Sequence, residues 1–187
     1  VSDGNTVGTT GRALPMEAVR ASLTNLGEGE EGCIRLSAHV SEIGWMDWTT
    51  GIAGTTGQHK SMEAIKAKLD GNIATHYDLY YRVHCAGFGW LGWTKNGGEA
   101  GTSGLSCPIE ALQIRLVKKG ALAPNEGTAF ISAPVGLISA SIAGSWQPTV
   151  TFGAVAGTTG QGRSLDGFKL SIDSAVDGSV SYRAHCA

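Results

Sequence analysis

The chain has 187 residues, 42% of them apolar and only 16% charged, with 28 glycines and a formal net charge of −2. That apolar content supports a packed core and excludes a disordered chain, while the slight acidity, with no basic run, argues against a nucleic acid or an anionic membrane as partner. No apolar run approaches the length of a membrane span, and the four cysteines show neither a CxxC pair nor metal-type spacing to histidine.

The first element is Gly8-Thr9-Thr10-Gly11, and it recurs as Gly54–Gly57, Gly101–Gly104 and Gly157–Gly160, at intervals of 46, 47 and 56 residues. Self-similarity at this spacing marks a tandem repeat, here with units near residues 1–50, 51–96, 97–152 and 153–187. The motif lacks the Lys-Ser/Thr ending and following helix of a phosphate loop. It reads instead as a tight turn that needs glycine dihedrals, with threonine hydroxyls satisfying turn amides.

Six residues after each motif stands an acidic residue, Glu17, Glu63, Glu110 or Asp166, which is expected to anchor turn backbone. It opens an apolar alternation. Met62-Glu63-Ala64-Ile65-Lys66-Ala67-Lys68-Leu69 is composed of good helix formers, but its equivalent Leu165-Asp166-Gly167-Phe168-Lys169-Leu170-Ser171-Ile172 alternates strictly and carries a glycine. Equivalent positions share one structure, so all four copies are predicted strands, with Val19/Ala21/Leu23 and their counterparts facing a core.

A turn follows, such as Asp70-Gly71-Asn72 or Asp177-Gly178, and then a second strand ending in histidine: Ile34–Val40, Leu79–Cys85 and Val180–Cys186. Its polar face carries His39, His84 and His185 with Arg35, Arg82 and Arg183. Cys85 and Cys186 fall on the apolar face as small buried thiols, while Cys33 and Cys107 lie near turns, where an extracellular setting would permit a disulfide. Six residues after the histidine comes a tryptophan and three later a second, giving Trp45/Trp48 and Trp90/Trp93. The third unit keeps Trp146 but has Ala140 at the histidine position and Thr149 at the second tryptophan position, and it carries extra residues, Lys118 to Gly127, read as an exposed loop or junction. The chain opens and stops within a repeat, which favours a segment of a longer repeat protein over a closed ring. The fold class expected is all-β, a pseudo-symmetric β-prism or β-trefoil-like domain, with a small propeller as the remaining solution.

Tyr81-Arg82-Val83-His84, Gly89-Trp90, Ala100-Gly101-Thr102 and Glu110-Ala111-Leu112 stand in the order of the clostridial hydrophobic repeat with tryptophan, and the chain resembles that family, ChW, over most of its length. The resemblance implies a secreted or surface-attached protein of a Gram-positive bacterium whose repeats bind cell wall, carbohydrate or protein.

Tryptophans carry the binding expectation, because indoles stack on sugar faces and anchor protein interfaces. The first of each pair, following a glycine and surviving in the drifted unit, reads as core. The second, Trp48 or Trp93, reads as the ligand contact, with His39, His84 and Arg82 beside it. A repeated histidine without a unique nucleophile is not a catalytic base, so it is expected to hydrogen-bond a neighbouring turn. Copies of one carboxylate likewise do not make a glycosidase pair. The chain therefore reads as non-catalytic, with no cofactor or metal, binding a cell-wall glycan or a surface protein, or associating with itself.

Overall fold

The computed structural model describes residues 3–125, 127–133, 136–151, 155–159 and 161–172. His185, Arg183, Cys186 and the Asp177-Gly178 turn lie outside the described residues. The chain divides into two compact regions, Val1–Ala133 and Pro134–Ala187. Apart from one short helical turn, Ile73–His76, every regular element among the described residues is a strand. The all-β expectation is borne out.

Three strand types, one from each motif, build the first region. Histidine strands Cys33–Val40 and Tyr77–Cys85 each pair antiparallel with the Met-Glu strand that follows the next Gly-Thr motif, Met62–Asp70 and Ile109–Lys118 respectively. Alternation places Ile34, Leu36, Ala38 and Val40 against Ile65, Ala67 and Leu69 in the core, with the counterparts Leu79, Tyr81, Val83 and Cys85 joining them. Strands consecutive across Asp70-Gly71-Asn72 do not pair. The chain there turns a corner through Ile73–His76, and Ile73 is itself buried in the core.

Gly-Thr strands flank the Met-Glu strands on their other edge, and they do so cyclically. Gly54 lies opposite Ala18, Gly101 opposite Ala64, and Gly8 opposite Ala111. Each motif thus packs on the Glu-Ala of the preceding copy, and the first packs on the third, closing a ring of three. Two backbone bonds run between the residues before the glutamates, from Met62 N–H to the Met16 carbonyl (2.7 Å) and from Met16 N–H to the Ile109 carbonyl (2.7 Å). Neither ring closure nor its partner choice follows from the repeat spacing, because both are long-range.

Three sequence expectations change here. The first Met-Glu copy forms only Ala18–Val19, and Val19, Ala21 and Leu23 are half-buried rather than buried. The described residues hold no histidine strand beside it, so residues 20–25 lack the ladder that fixes the other copies as strands. The threonine hydroxyls serve carbonyls, not amides: Thr102 Oγ1 donates to the Cys107 carbonyl (2.9 Å) and Thr55 Oγ1 to that of Lys60 (3.4 Å). Lastly, Cys33, Cys85 and Cys107 are free thiols, so the disulfide expectation does not hold for the described cysteines.

Cys85 is the buried thiol its position predicted. Burial, helped by the neighbouring Cys107 and Glu110, pushes its pKa up to about 12, and the thiolate is the reactive form. In the folded protein at pH 8, Cys85 should resist a thiol reagent that labels the half-buried Cys33 and Cys107, and should react once urea unfolds the chain. Peptide mapping by mass spectrometry reads this directly; equal labelling rates would mean that the strand pair opens in solution.

In the second region, strand Gly136–Ile142 pairs with Leu165–Ile172, Ser145–Trp146 and Val150–Thr151. Its register corrects the alignment by one residue. Ser141 pairs with both Trp146 and Gly167, as His39 pairs with Trp45 and Ala64. Ser141, not Ala140, therefore occupies the histidine position, and Ala140 is buried like Ala38. The turn between strand and tryptophan has lost one residue, a change that a count of six from tryptophan hides. Within the longer insertion, Leu122 is 95% exposed, as a surface loop would have it.

Candidate functional site

The outer faces of the two complete sheets carry one constellation twice. The histidine strand ends in a tight reversal, with Glu42 and Gly44 at positive φ (65° and 86°) in the first copy and Gly87 and Gly89 (80° and 76°) in the second. This folds Gly-Trp back antiparallel, so that Trp45 sits opposite His39 and Trp90 opposite His84. The rings meet edge to face, with centroids 5.4 and 5.5 Å apart, a favourable arrangement for aromatic groups.

Behind each histidine stands the glutamate of the paired strand. His39 Nδ1 lies 3.3 Å from Glu63 Oε2, and His84 Nδ1 lies 3.1 Å from Glu110 Oε2. Both carboxylates are buried, and both Nδ1 atoms are off the line of a directed N–H bond, so the contact is a close approach of ring and carboxylate and not a hydrogen bond. These glutamates do not anchor turns, and the histidines do not bond a turn backbone; the two groups face each other. Asp166 does behave as expected, accepting a 2.7 Å bond from the Gly144 N–H. Ser141 stands where its histidine would be, which leaves the carboxylate to the shortened turn.

Cations complete the pattern. Lys66 Nζ is 4.0 Å from the Trp45 centroid and Lys68 Nζ is 4.5 Å from that of Trp48. In the second sheet one residue serves both rings, with the Arg82 guanidinium 4.8 Å from Trp90 and 4.9 Å from Trp93. Lys169 lies 4.1 Å over Trp146. The cation comes from different strands. Ser37 and Lys66 are cross-strand partners in the first sheet, and at the equivalent pair stand Arg82 and Gln113, bonded at 2.8 Å. The charge has crossed the ladder while its place over the indole is kept. Such contacts contribute about 0.5–1 kcal/mol each at partly exposed sites.

Trp45 and Trp90, expected in the core, are instead half-buried on this outer face, and Trp146 is 48% exposed. Their position in the reversal puts them across from the histidine, whose side chain points away from the core. Trp48 and Trp93 are also half-buried, Trp48 resting against Gly97. Beside Trp45 a shallow groove is lined by Met46, Asp47, Thr49, Ile52 and Ala53, and Ile52 at its rim is exposed. The structure thus brings Trp48 and His39 to one face, and Trp93, His84 and Arg82 to another. Sequence reading singled out Glu63 and Glu110 by their six-residue spacing from the Gly-Thr motif but gave them to turn backbone, and it missed Lys66 and Lys68; only the strand register shows what the glutamates face.

One hydroxyl approaches this array. Ser103 Oγ is 3.5 Å from His39 Nε2. The Gly-Thr copy that packs beside Glu110 carries Thr10 at the corresponding position, so the serine is particular to one copy and not part of the repeated constellation.

No curated protein and no solved structure matches the chain. The family model described as Clostridial hydrophobic W matches residues 1–25, 39–71, 84–118 and 144–173, about two thirds of the 187 residues. Two matches begin at His39 and His84 and run through the tryptophan and Gly-Thr motif to the end of the Met-Glu strand. With the repeated motif traced through the matched stretches, the chain belongs to the clostridial hydrophobic W (ChW) repeat family.

Proposed function

We propose that the protein is a non-catalytic binding module on the outside of a Gram-positive bacterium, recognising glycan or another cell-wall polymer through its tryptophan faces. The observation that carries this reading is the conserved placement of a cation over the indole in three copies, delivered from different strands. Core packing does not require that; a held ring and a fixed charge at a surface suit recognition. One face of each indole is taken by the cation, and the groove at Trp45, with Asp47 at its wall, offers room for a polar ring. The extracellular setting rests on family membership alone. The cyclic contacts of the first region favour a prism-like threefold arrangement, which would present such faces around one core.

The test is sedimentation of purified protein with peptidoglycan and screening on a glycan array. Trp48→Ala and Trp93→Ala should weaken binding at least several-fold and leave the melting temperature within a few degrees. Trp90→Ala should cost about 1–2 kcal/mol, in keeping with a half-buried ring rather than a core one. No binding on either surface would overturn the glycan reading. The second reading, a protein–protein or adhesion role, is favoured by the exposed Ile43, Ile52 and Phe88 close to the two tryptophan faces; retained partner binding with no glycan affinity would select it.

A further inference from the structure

One of the two tryptophan faces has its flanking groove filled by the chain itself. Phe130–Ser132 pairs parallel with the outer edge of the Gly-Thr strand Ala100–Ser103. Just before it, the chain crosses beside the second Gly-Trp reversal and takes two backbone donors. Gly92 N–H bonds the Thr128 carbonyl (2.9 Å) and Gly101 N–H that of Ala129 (2.8 Å). The same place in the first copy is the open groove beside Trp45, with Asp47 at the Gly92 position and Ala53-Gly54 at that of Ala100-Gly101. Thr55 N–H donates to the Glu17 carbonyl, so by alternation Gly54 N–H points to the outer edge of its strand. Among the described residues no strand lies on that edge, and neither Asp47 N–H nor Gly54 N–H has a backbone partner. The repeat does not supply one. After Met62–Asp70 the chain turns through Ile73–His76 straight into Tyr77–Cys85, whereas after Ile109–Lys118 it runs on to the groove.

We propose that the groove beside Trp45 takes the free amino end of an extended polypeptide, added parallel to Ala53–Gly54. An unpaired strand edge is a template for such addition, with main-chain bonds supplying the affinity. Asp47 N–H and Gly54 N–H meet successive carbonyls of the peptide, as Gly92 and Gly101 meet those of Thr128 and Ala129. That the peptide starts here follows from the Asp47 side chain. A Cβ at Gly92 would stand 2.5 Å from the Gly127 carbonyl carbon, so glycine is what lets the chain pass that point. Asp47 carries the Cβ and blocks the same path. A chain whose first residue takes the Thr128 place has nothing to clash, and it sets its ammonium beside the Asp47 carboxylate. That carboxylate is exposed and in no ion pair among the described residues, and a charge-assisted bond there is roughly twice as strong as a neutral one. The site goes beyond the glycan reading, whose test residues Trp48 and Trp93 do not line the groove.

The probe is the peptide Thr-Ala-Phe-Ile-Ser-Ala, the sequence of residues 128–133, with a free amino end. Titrated into the full 187-residue protein and followed by amide NMR, it should shift the Asp47 and Gly54 resonances saturably. Acetylating the peptide should weaken binding several-fold, and so should Asp47→Asn, a change at an exposed side chain that leaves the fold intact. Trp48→Ala, which tests the glycan reading, should leave the peptide affinity unchanged. No shift at millimolar peptide overturns the proposal, as does equal binding of the acetylated peptide. A glycan that moves these two amides where the peptide does not would give the groove to sugar instead, and would overturn it too.

Discussion

Gly101→Ala should destabilise the protein by roughly 3 kcal/mol or more, whereas Gly57→Ala should cost about 1 kcal/mol. Both glycines belong to Gly-Thr motifs and both have positive φ, 126° and 67°. Only the first lies against another strand. A Cβ on Gly101 would stand 2.3 Å from the Glu63 carbonyl oxygen and 2.6 Å from the Ala64 Cα, both backbone atoms with no rotamer to escape into. A Cβ on Gly57 meets nothing within 4 Å, so that substitution bears only the cost of the left-handed conformation. Gly8 and Gly54 repeat the 2.3 Å approach, to the carbonyls of Glu110 and Glu17. In the first three motifs the first glycine is therefore the point where one repeat closes on another and the last is the turn, whereas a Cβ on Gly157 would meet only side-chain atoms, the nearest at 3.6 Å. Urea unfolding of the two variants separates these roles; equal losses would mean that dihedral freedom is all either glycine supplies.

How far the sequence reaches can be judged at such positions. The strand assignment of Met62–Asp70 was legible despite its helix-forming residues, because the fourth copy could adopt no other structure. The inward set Ile65, Ala67 and Leu69 followed from period two. What failed was local reading of long-range facts. Trp45 and Trp90 read as core because they follow a glycine and persist, yet that glycine serves the reversal that turns the indole onto the outer face. Ser141 was hidden behind Ala140 because one residue is missing from a turn, and only the ladder registers it. Residues 20–26 have the pattern of a strand, but among the described residues no histidine strand lies beside them to make them one. Glu63 and His39 are 24 positions apart, and nothing but register brings them together.

Stability should fall steeply between about pH 9 and pH 12, and two side chains on one strand are responsible. Tyr81 and Cys85 are both fully buried on the inner face of Tyr77–Cys85. Burial raises the Tyr81 phenol from the ordinary 10 to about 12, hydrogen bonding to the backbone of Ala67 and Gly97 opposing but not reversing it. Burial likewise raises the Cys85 thiol from 9 to about 12. Each group is neutral when protonated, so the folded state holds a proton that the unfolded state releases. The resulting stability is complete below pH 9 and is lost as pH rises through the folded-state values, on the order of 3 kcal/mol for each group. Tyr81→Phe gives the decisive comparison. At pH 7 it should be less stable than the wild type by about 1 kcal/mol, because the Gly98 carbonyl loses its hydroxyl donor. It has one group fewer to ionise, so its stability should decline less steeply and cross that of the wild type on the alkaline side. Cys85→Ala should flatten the remaining slope in the same window. Melting temperatures measured from pH 7 to pH 11 would show the crossing; curves that stay parallel would mean that neither group titrates on unfolding.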